Sequence, residues 1–426
     1  MPRTGIILAC LFLLASPAPA QSDKPEYRTG PWHAWLESPG GELPFGLVLA
    51  RTTDEWRAWI VNGRKRIEVP RTTFEGTEFL LDVDHYDSTI KATLSPDGHR
   101  LDGEWKKRRG PDKWLAMPFH ATSGNAPRFA AATPSPPSES AASVDGRWKV
   151  KFSKGDDAAV AEFHSRTDGT VAGTILTSAG DYGYLAGVLD GPRLRLSTFD
   201  GAQATLLDAR FQPDGTLKGD LWSGDSRHET WTAARDIKAA TPDGFNVTRW
   251  NDEIKLSELS FRDISSGETR SLADPAFVKK VRIIELFGSW CPNCHDAAEL
   301  LVELDKRYRD KGLGIVGIAF ERSGDVERSA KQIRRFLKRH GVKFPVLAAP
   351  DADENEPASF RAIDKIRAYP TTIFLDSKGK ARAVHSGYAG PAAGRDHQAL
   401  KDRFVELVEE LLAEDKPEES KGATPQ

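Results

Sequence analysis

The chain divides by texture. Over residues 29–236, apolar and polar positions alternate in short runs such as "WKVKF" and "RLRLSTF", broken by turns rich in Gly, Thr and Asp-Gly. Alternation with period two between such turns predicts half-buried strands. From about residue 255 the pattern changes. "VRIIELF" (281–287) and "GIVGIAF" (314–320) are continuous apolar runs and predict buried strands. "AAELLVELDKRY" (297–308) carries apolar residues at helical spacing. "DVERSAKQIRRFLKRHG" sets Val326, Ala330, Ile333 and Leu337 on one helical face. A strand in "FPVLAA", a short helix near residues 360–366, strands in "PTTIFLD" and "KARAVHSG", and a helix near 397–413 follow. That order predicts an α/β domain with a mixed sheet.

The alternating region repeats itself. "SPDGHRLDGEW" (95–105) matches "QPDGTLKGDLW" (212–222). Pro96 and Pro213, Trp105 and Trp222, and Trp114 and Trp231 are each 117 residues apart, and Trp32 and Trp148 are 116 apart. Landmarks at one spacing imply a duplicated module. Each copy, roughly 90 residues with closely spaced turns, predicts a small antiparallel barrel or sandwich. The expected fold class is therefore multidomain: two β modules, then an α/β domain. The expected boundaries are 29–122 and 144–236 for the modules, 123–143 for a Pro/Ser/Ala-rich linker, 237–254 for a connector, 255–413 for the α/β domain and 414–426 for a polar tail.

Composition narrows the partners. The 426 residues carry a net charge of −3, which gives no reason to expect nucleic acid. The basic run from Lys106 to Arg109 reads as a solvated face. The N-terminus joins Arg3, an apolar run from Ile6 to Ala15 and a small-x-small site at Ala18–Ala20. Residues 1–20 thus read as an export signal, too short in its apolar run to span a bilayer. Ile7–Cys10 loosely resembles a lipobox, but cleavage there would leave apolar residues on the product, so cleavage after Ala20 is expected. The location implied is a bacterial periplasm or the extracellular space. Of three cysteines, that cut retains Cys291 and Cys294. An exported chain stapled by disulfides would have more, so this pair reads as chemical rather than structural.

"SWCPNCH" (289–295) supports two chemistries. CxxCH is an attachment signature of c-type haem, with His295 as iron ligand. CxxC is also a dithiol redox pair. Haem needs a distal ligand. The mature chain offers Met117, far away, or His340, His385 and His397, which nothing marks out. The motif also follows an apolar strand, a setting that suits the redox pair. A helix starting at Pro292 would put Cys291 at its N-terminus, where free N–H groups and the dipole stabilise a thiolate. Cys294, one turn on, could resolve a mixed disulfide.

"LFGSWCPNC" and "YPTTIFLD" (369–376) make residues 255–413 resemble the thioredoxin-like domain of exported TlpA/ResA-type thiol–disulfide oxidoreductases. The resemblance implies a cis Pro370 facing the cysteine pair, with the Tyr369–Pro370–Thr371 loop docking substrate; Trp290 reads as covering the pair and shaping the docking surface, with simple packing as the alternative. It implies an extra helix between "VGIAF" and "FPVLA". It also implies disulfide-containing protein substrates, a membrane-embedded thiol donor and the reductase direction, although the Pro-Asn dipeptide leaves direction open. No metal or organic cofactor is required. Glu285 lies six residues before Cys291 in an apolar strand. In thioredoxins an acid at this spacing relays the proton of the second cysteine, whereas many TlpA-type relatives carry Asn. Its alternative is an edge position or a lysine salt bridge. Pro292 and His295 could tune Cys291, but the blander reading of His295 is a solvated first-turn residue.

Two motifs are set aside. Gly312–Gly317 satisfies G-x-G-x-x-G but enters a strand, so it reads as a helix cap. "NVT" (246–248) is a weak glycosylation match. The β modules match no family on sight. They read equally as spacer or as docking site for an unknown partner, and an adapter function built on them is the alternative to catalysis.

Overall fold

The computed structural model describes residues 28–130, 143–155, 158–349 and 360–414. The export signal with Cys10, most of the linker and the tail beyond Glu414 lie outside the described residues.

Eight antiparallel strands between Gly30 and Ser123 form a closed barrel, completed where Trp32 pairs with Ser123 and Leu36 with Phe119. The alternation in sequence becomes alternation in space. Trp32, Ala34 and Leu36 of the first strand point inward, as do Leu101 and Trp105 of the seventh. The second module closes the same way: Ala159–Ser165 pairs with both Gly146–Phe152 and Thr170–Thr177, and a two-residue strand, Gly180–Asp181, folds back onto the latter. Closure removes the exposed edges an open sheet would present.

The repeat is visible atom by atom. Trp32 Nε1 donates to Arg28 O at 3.2 Å and Trp148 Nε1 to Val144 O at 2.9 Å, the same bond four residues back. The matching turns place Gly98 (φ 72°) and Gly215 (φ 80°) in the left-handed region, where glycine is favoured. The copies then diverge. Trp105 sits inside the first barrel, whereas Trp222 is half-buried and packs on the first barrel's cluster. That cluster also takes in Phe199, Ala202, Ala204 and Leu206 of the second module. Phe199 lies 4.5 Å from Phe45 and 5.0 Å from Trp105, centroid to centroid, so the two barrels share apolar core.

The C-terminal region is a seven-stranded mixed sheet with Val281–Phe287 near its middle, parallel to Leu313–Ala319 and antiparallel to Thr371–Leu375. All seven residues of Val281–Phe287 are buried. Ile284 and Leu286 face a cluster built by Phe261, Phe277 and Phe360. Val281, Ile283 and Phe287 face the helices α1 (Pro292–Tyr308), α2 (Val326–His340) and α3 (Arg395–Glu414). Gly312 (φ 111°) caps the turn Arg309–Lys311 and leads into a strand, as its position in the glycine motif implied.

Three expectations change. Residues 360–366 form no helix. Trp250 bridges Ile363, Asn251 N donates to Ala362 O at 2.8 Å, and Asp364 N donates to Arg249 O at 2.9 Å, so these backbone groups are taken by the connector. A hairpin, Ser260–Asp263 with Thr269–Ser271, extends the sheet beyond what the pattern showed. The buried face of α2 is Ala330, Gln332, Ile333 and Phe336, while Val326 is exposed at the first turn.

Both modules are pinned to this region. Asp87 accepts from Arg108 of its own module at 2.8 Å and from Arg328 of α2 at 2.5 Å. Arg335 of α2 pairs with Asp84 at 3.2 Å. From the second module, buried Arg147 forks onto Asp396 of α3 at 2.7 and 2.8 Å.

Candidate active site

The strand Val281–Phe287 ends one short turn before the cysteines. Cys291 caps α1 and Pro292 takes its first position, where a missing N–H leaves nothing unsatisfied. The N–H groups of Cys294 and His295 point back at Cys291 O, at 3.1 and 3.3 Å. Both thiols are buried, with Cys291 7% exposed. Cys291 Sγ donates to Tyr369 O at 3.4 Å, across the cis Tyr369–Pro370 bond. The loop thus brings its backbone to the sulfur. Thr371 is fully buried and its hydroxyl donates to Ala368 O at 2.8 Å, so its side chain braces the loop and any docking role falls to its backbone.

The two sulfurs differ in acidity. Burial pushes the Cys291 thiol up, but the hydrogen bond from Cys294 and the charges of Lys107 and Arg322 outweigh it, and the net direction is down. Burial pushes Cys294 well up, and the charge of Cys291 beside it adds to the rise. A low-pKa outer sulfur and a high-pKa inner one suit a nucleophile and a resolving thiol.

Alternation along Val281–Phe287 puts Glu285 on the α1 face with Ile283 and Phe287. It is 3% exposed, and its negative charge adds to the upward push on the Cys294 pKa. No lysine pairs with it among the described residues, and it stands on an interior strand, so neither blander reading of this residue survives. Burial raises its pKa from 4.5 to about 8, the Thr372 hydroxyl opposing in part, although neither Glu285 Oε2 nor Thr372 Oγ1 completes a hydrogen bond.

Trp290 donates to Phe320 O at 2.8 Å, meets Tyr369 edge-on at 5.5 Å and carries the Arg322 guanidinium 3.4 Å above its ring. His295 is corrected most. It is buried, not solvated. Its Nε2 bonds Ser289 O at 2.8 Å and its Nδ1 bonds His340 Nε2 at 2.7 Å, while Tyr86, His85 and Phe336 pack around the ring. Burial, helped by His340 and His85, holds its pKa well below the usual value, so at neutral pH it is no cation for Cys291. With both nitrogens engaged inside the protein, the ring is not presented as an iron ligand.

Several site residues escaped the sequence reading because they come from elsewhere in the chain. Glu321 receives Ser289 N at 2.9 Å and Ser289 Oγ at 2.7 Å, and burial lifts it to about 7. Asp181 of the second module accepts from Gly390 N, and Asp296 of α1 lies against the same glycine. Gly180 touches Asn293, between the cysteines: a Cβ there would lie 1.8 Å from Asn293 Nδ2. Lys107 is corrected as well. The run expected to be solvated alternates, so Lys106 faces out beside Glu104 while Lys107 turns inward and reaches Trp290 O at 3.5 Å.

The Redoxin family model matches residues 253–399. The chain is 34% identical over 122 residues to the thioredoxin-like protein YneN of Bacillus subtilis, covering 29% of this chain and 64% of that protein. It is 29% identical over 206 residues to a thiol:disulfide interchange protein DsbE homolog of Paracoccus denitrificans, 48% of this chain and 98% of that one. It is 24% identical over 127 residues to the thiol-disulfide oxidoreductase ResA of Halalkalibacterium halodurans, spanning 60% of its length. Among solved structures, a DsbF homologue from Corynebacterium diphtheriae is 22% identical over 41% of this chain and 99% of that one, with a TM-score of 0.29. The C-terminal region that carries Cys291 and Cys294 is thus homologous to the thioredoxin-like redoxins.

Proposed function

We propose that this protein is an exported thiol–disulfide oxidoreductase of the TlpA/ResA type, working as a reductase. The observation that carries the reading is the pairing of a low-pKa Cys291 at the start of α1 with a buried Glu285 behind the high-pKa Cys294. The Cys291 thiolate attacks one sulfur of a substrate disulfide, forming a mixed disulfide and releasing one substrate thiolate. The Cys294 thiolate then attacks Cys291 Sγ and releases the second. Two electrons pass to the substrate and Cys291–Cys294 becomes a disulfide. The ionised fraction of Glu285 takes the Cys294 proton and returns it to the departing thiolate. Tyr369, Pro370 and Thr371 offer backbone to the substrate chain, and Trp290 shapes the docking face. Substrates are disulfide-bearing proteins, and a membrane-embedded thiol donor resets the pair.

Contacts of both β modules with the redox site favour a catalyst over an adapter with an incidental redox domain. The test is reduction of a disulfide-bonded test protein by the prereduced chain. Cys291→Ser should abolish it, and Cys294→Ser should accumulate a mixed disulfide seen by intact mass. Unchanged reduction by Cys291→Ser would reject the reading.

A further inference from the structure

Lys107 belongs to the first barrel, yet its ammonium ends at the redox motif. It is 7% exposed. Its Nζ donates to Ala202 O of the second barrel at 2.8 Å and to Trp290 O at 3.5 Å. Trp290 immediately precedes Cys291, so the contact sets the charge beside the cysteine. The Tyr86 ring lies 5.9 Å away and completes the enclosure. Among the described residues no carboxylate stands within ion-pair distance of Nζ. Asp200 is the strongest acidic influence on it, and one of its oxygens, Oδ1, is already held by the N–H groups of Ala202 and Gln203 at 2.7 and 2.5 Å. A buried ammonium bonded only to neutral carbonyls is costly, and such charges are ordinarily paired. Two groups near it can carry negative charge, Asp200 and Cys291, and Cys291 is the one whose charge changes in the reaction cycle.

We infer that Lys107 is a positioning residue of the redox site, a cation supplied by the first barrel that holds Cys291 as its thiolate, so that the site is complete only with the barrel docked. The inference rests on the redox reading above and assigns the first module a part in the chemistry rather than a spacer role. The charged and titratable groups around Cys291 are Lys107, Arg322, Cys294, Tyr86 and Tyr369; those around Lys107 are Arg322, Arg109, Asp200, Tyr86 and Cys291. Burial lowers the Lys107 ammonium to about 8, so it remains charged at neutral pH and loses its charge as the pH rises past that value. Arg322, stacked on Trp290, adds to the field at Cys291.

The experiment follows alkylation of Cys291 by iodoacetamide in the reduced full chain, resolved by mass, from about pH 5 to about pH 10. Lys107→Met should raise the midpoint by about one pH unit and slow alkylation at neutral pH about tenfold. Lys107→Arg should keep the midpoint near that of the native protein. A Lys107→Met midpoint equal to the native one, or an equal shift in Lys107→Arg, overturns the inference. Should Lys107→Met not fold, NMR titration of labelled lysines in the native chain replaces it. Reciprocity requires the Lys107 midpoint to be higher in the dithiol than in the disulfide form, and equal midpoints overturn the inference. Alkylation reports ionisation whether or not disulfides are turned over. A shifted midpoint in a chain that reduces no test protein therefore supports Lys107 and rejects the proposed function alone.

Discussion

Glu285 shows how one side chain carries two measurable consequences. Its pKa is raised by burial, so the protein is stabilised by the neutral carboxyl below about pH 4.5, and that contribution is lost as the pH rises through about 8. Glu285→Gln cannot ionise. In denaturant titrations it should gain on the native protein from about pH 5 upward, by on the order of a few kcal/mol, and level off above about pH 8. The same substitution should slow resolution of a mixed disulfide by roughly tenfold to a hundredfold while leaving the first attack nearly unchanged. Single-turnover kinetics separate the two steps, and equal slowing of both would show that Glu285 is not a proton relay. This residue was legible in the sequence because a charge in an apolar strand breaks a pattern. Lys107 was not, since a lysine within a basic run breaks none, and its inward direction depends on the parity of its strand. His295 was misread for a related reason: its burial comes from His85 and Tyr86, over two hundred residues earlier in the chain.

At the scale of elements, the buried strands and long helices were written in apolar spacing, and the duplicated Trp and Pro-Asp-Gly landmarks marked the barrels. What spacing could not show was competition for backbone groups. Residues 360–366 have enough apolar positions for a helical turn, but their N–H and C=O groups bond the connector instead. Nor could it show where α3 docks. Arg147 is buried in the second barrel and is bonded to Asp396, Glu162 and Ala239 O. Arg147→Ala would strip Asp396 and Ala239 of these donors, and because Asp396 remains partly exposed the expected loss is about 2 kcal/mol rather than the 3–5 of a fully buried pair. Hydrogen exchange should rise first in the opening turn of α3. Unaltered protection there would place the anchoring elsewhere.

For the whole molecule, the shared core implies that the barrels do not unfold independently. Phe199 belongs to the second barrel by sequence and to the first by packing, so Phe199→Ala should cost roughly 3–5 kcal/mol and lower the transitions of both together. Two separate transitions with only one displaced would contradict a common core. The junction with the redox region has its own pH response. Asp181 and Asp296 are lifted by burial to about 6 and about 8, with Asp200, Glu299 and Lys65 around them. Carboxyls raised in this way stabilise the junction at low pH and weaken it as the pH climbs through those values. The protection factor of the Gly390 amide, with the intrinsic base-catalysed rise divided out, should fall between about pH 6 and about pH 9, and Asp296→Asn should flatten that fall. Finally, the contact between Gly180 and Asn293 bears on how such a protein can be retuned. The pair of residues inside a CxxC motif is the natural dial for redox potential, free to vary when the motif faces solvent. Here half of that dial is seated against a glycine with φ of 137° and no room for a Cβ. A bulkier residue at 293 would have to be matched by a change on a barrel more than a hundred positions away, so the potential of this cysteine pair is inherited with its architecture.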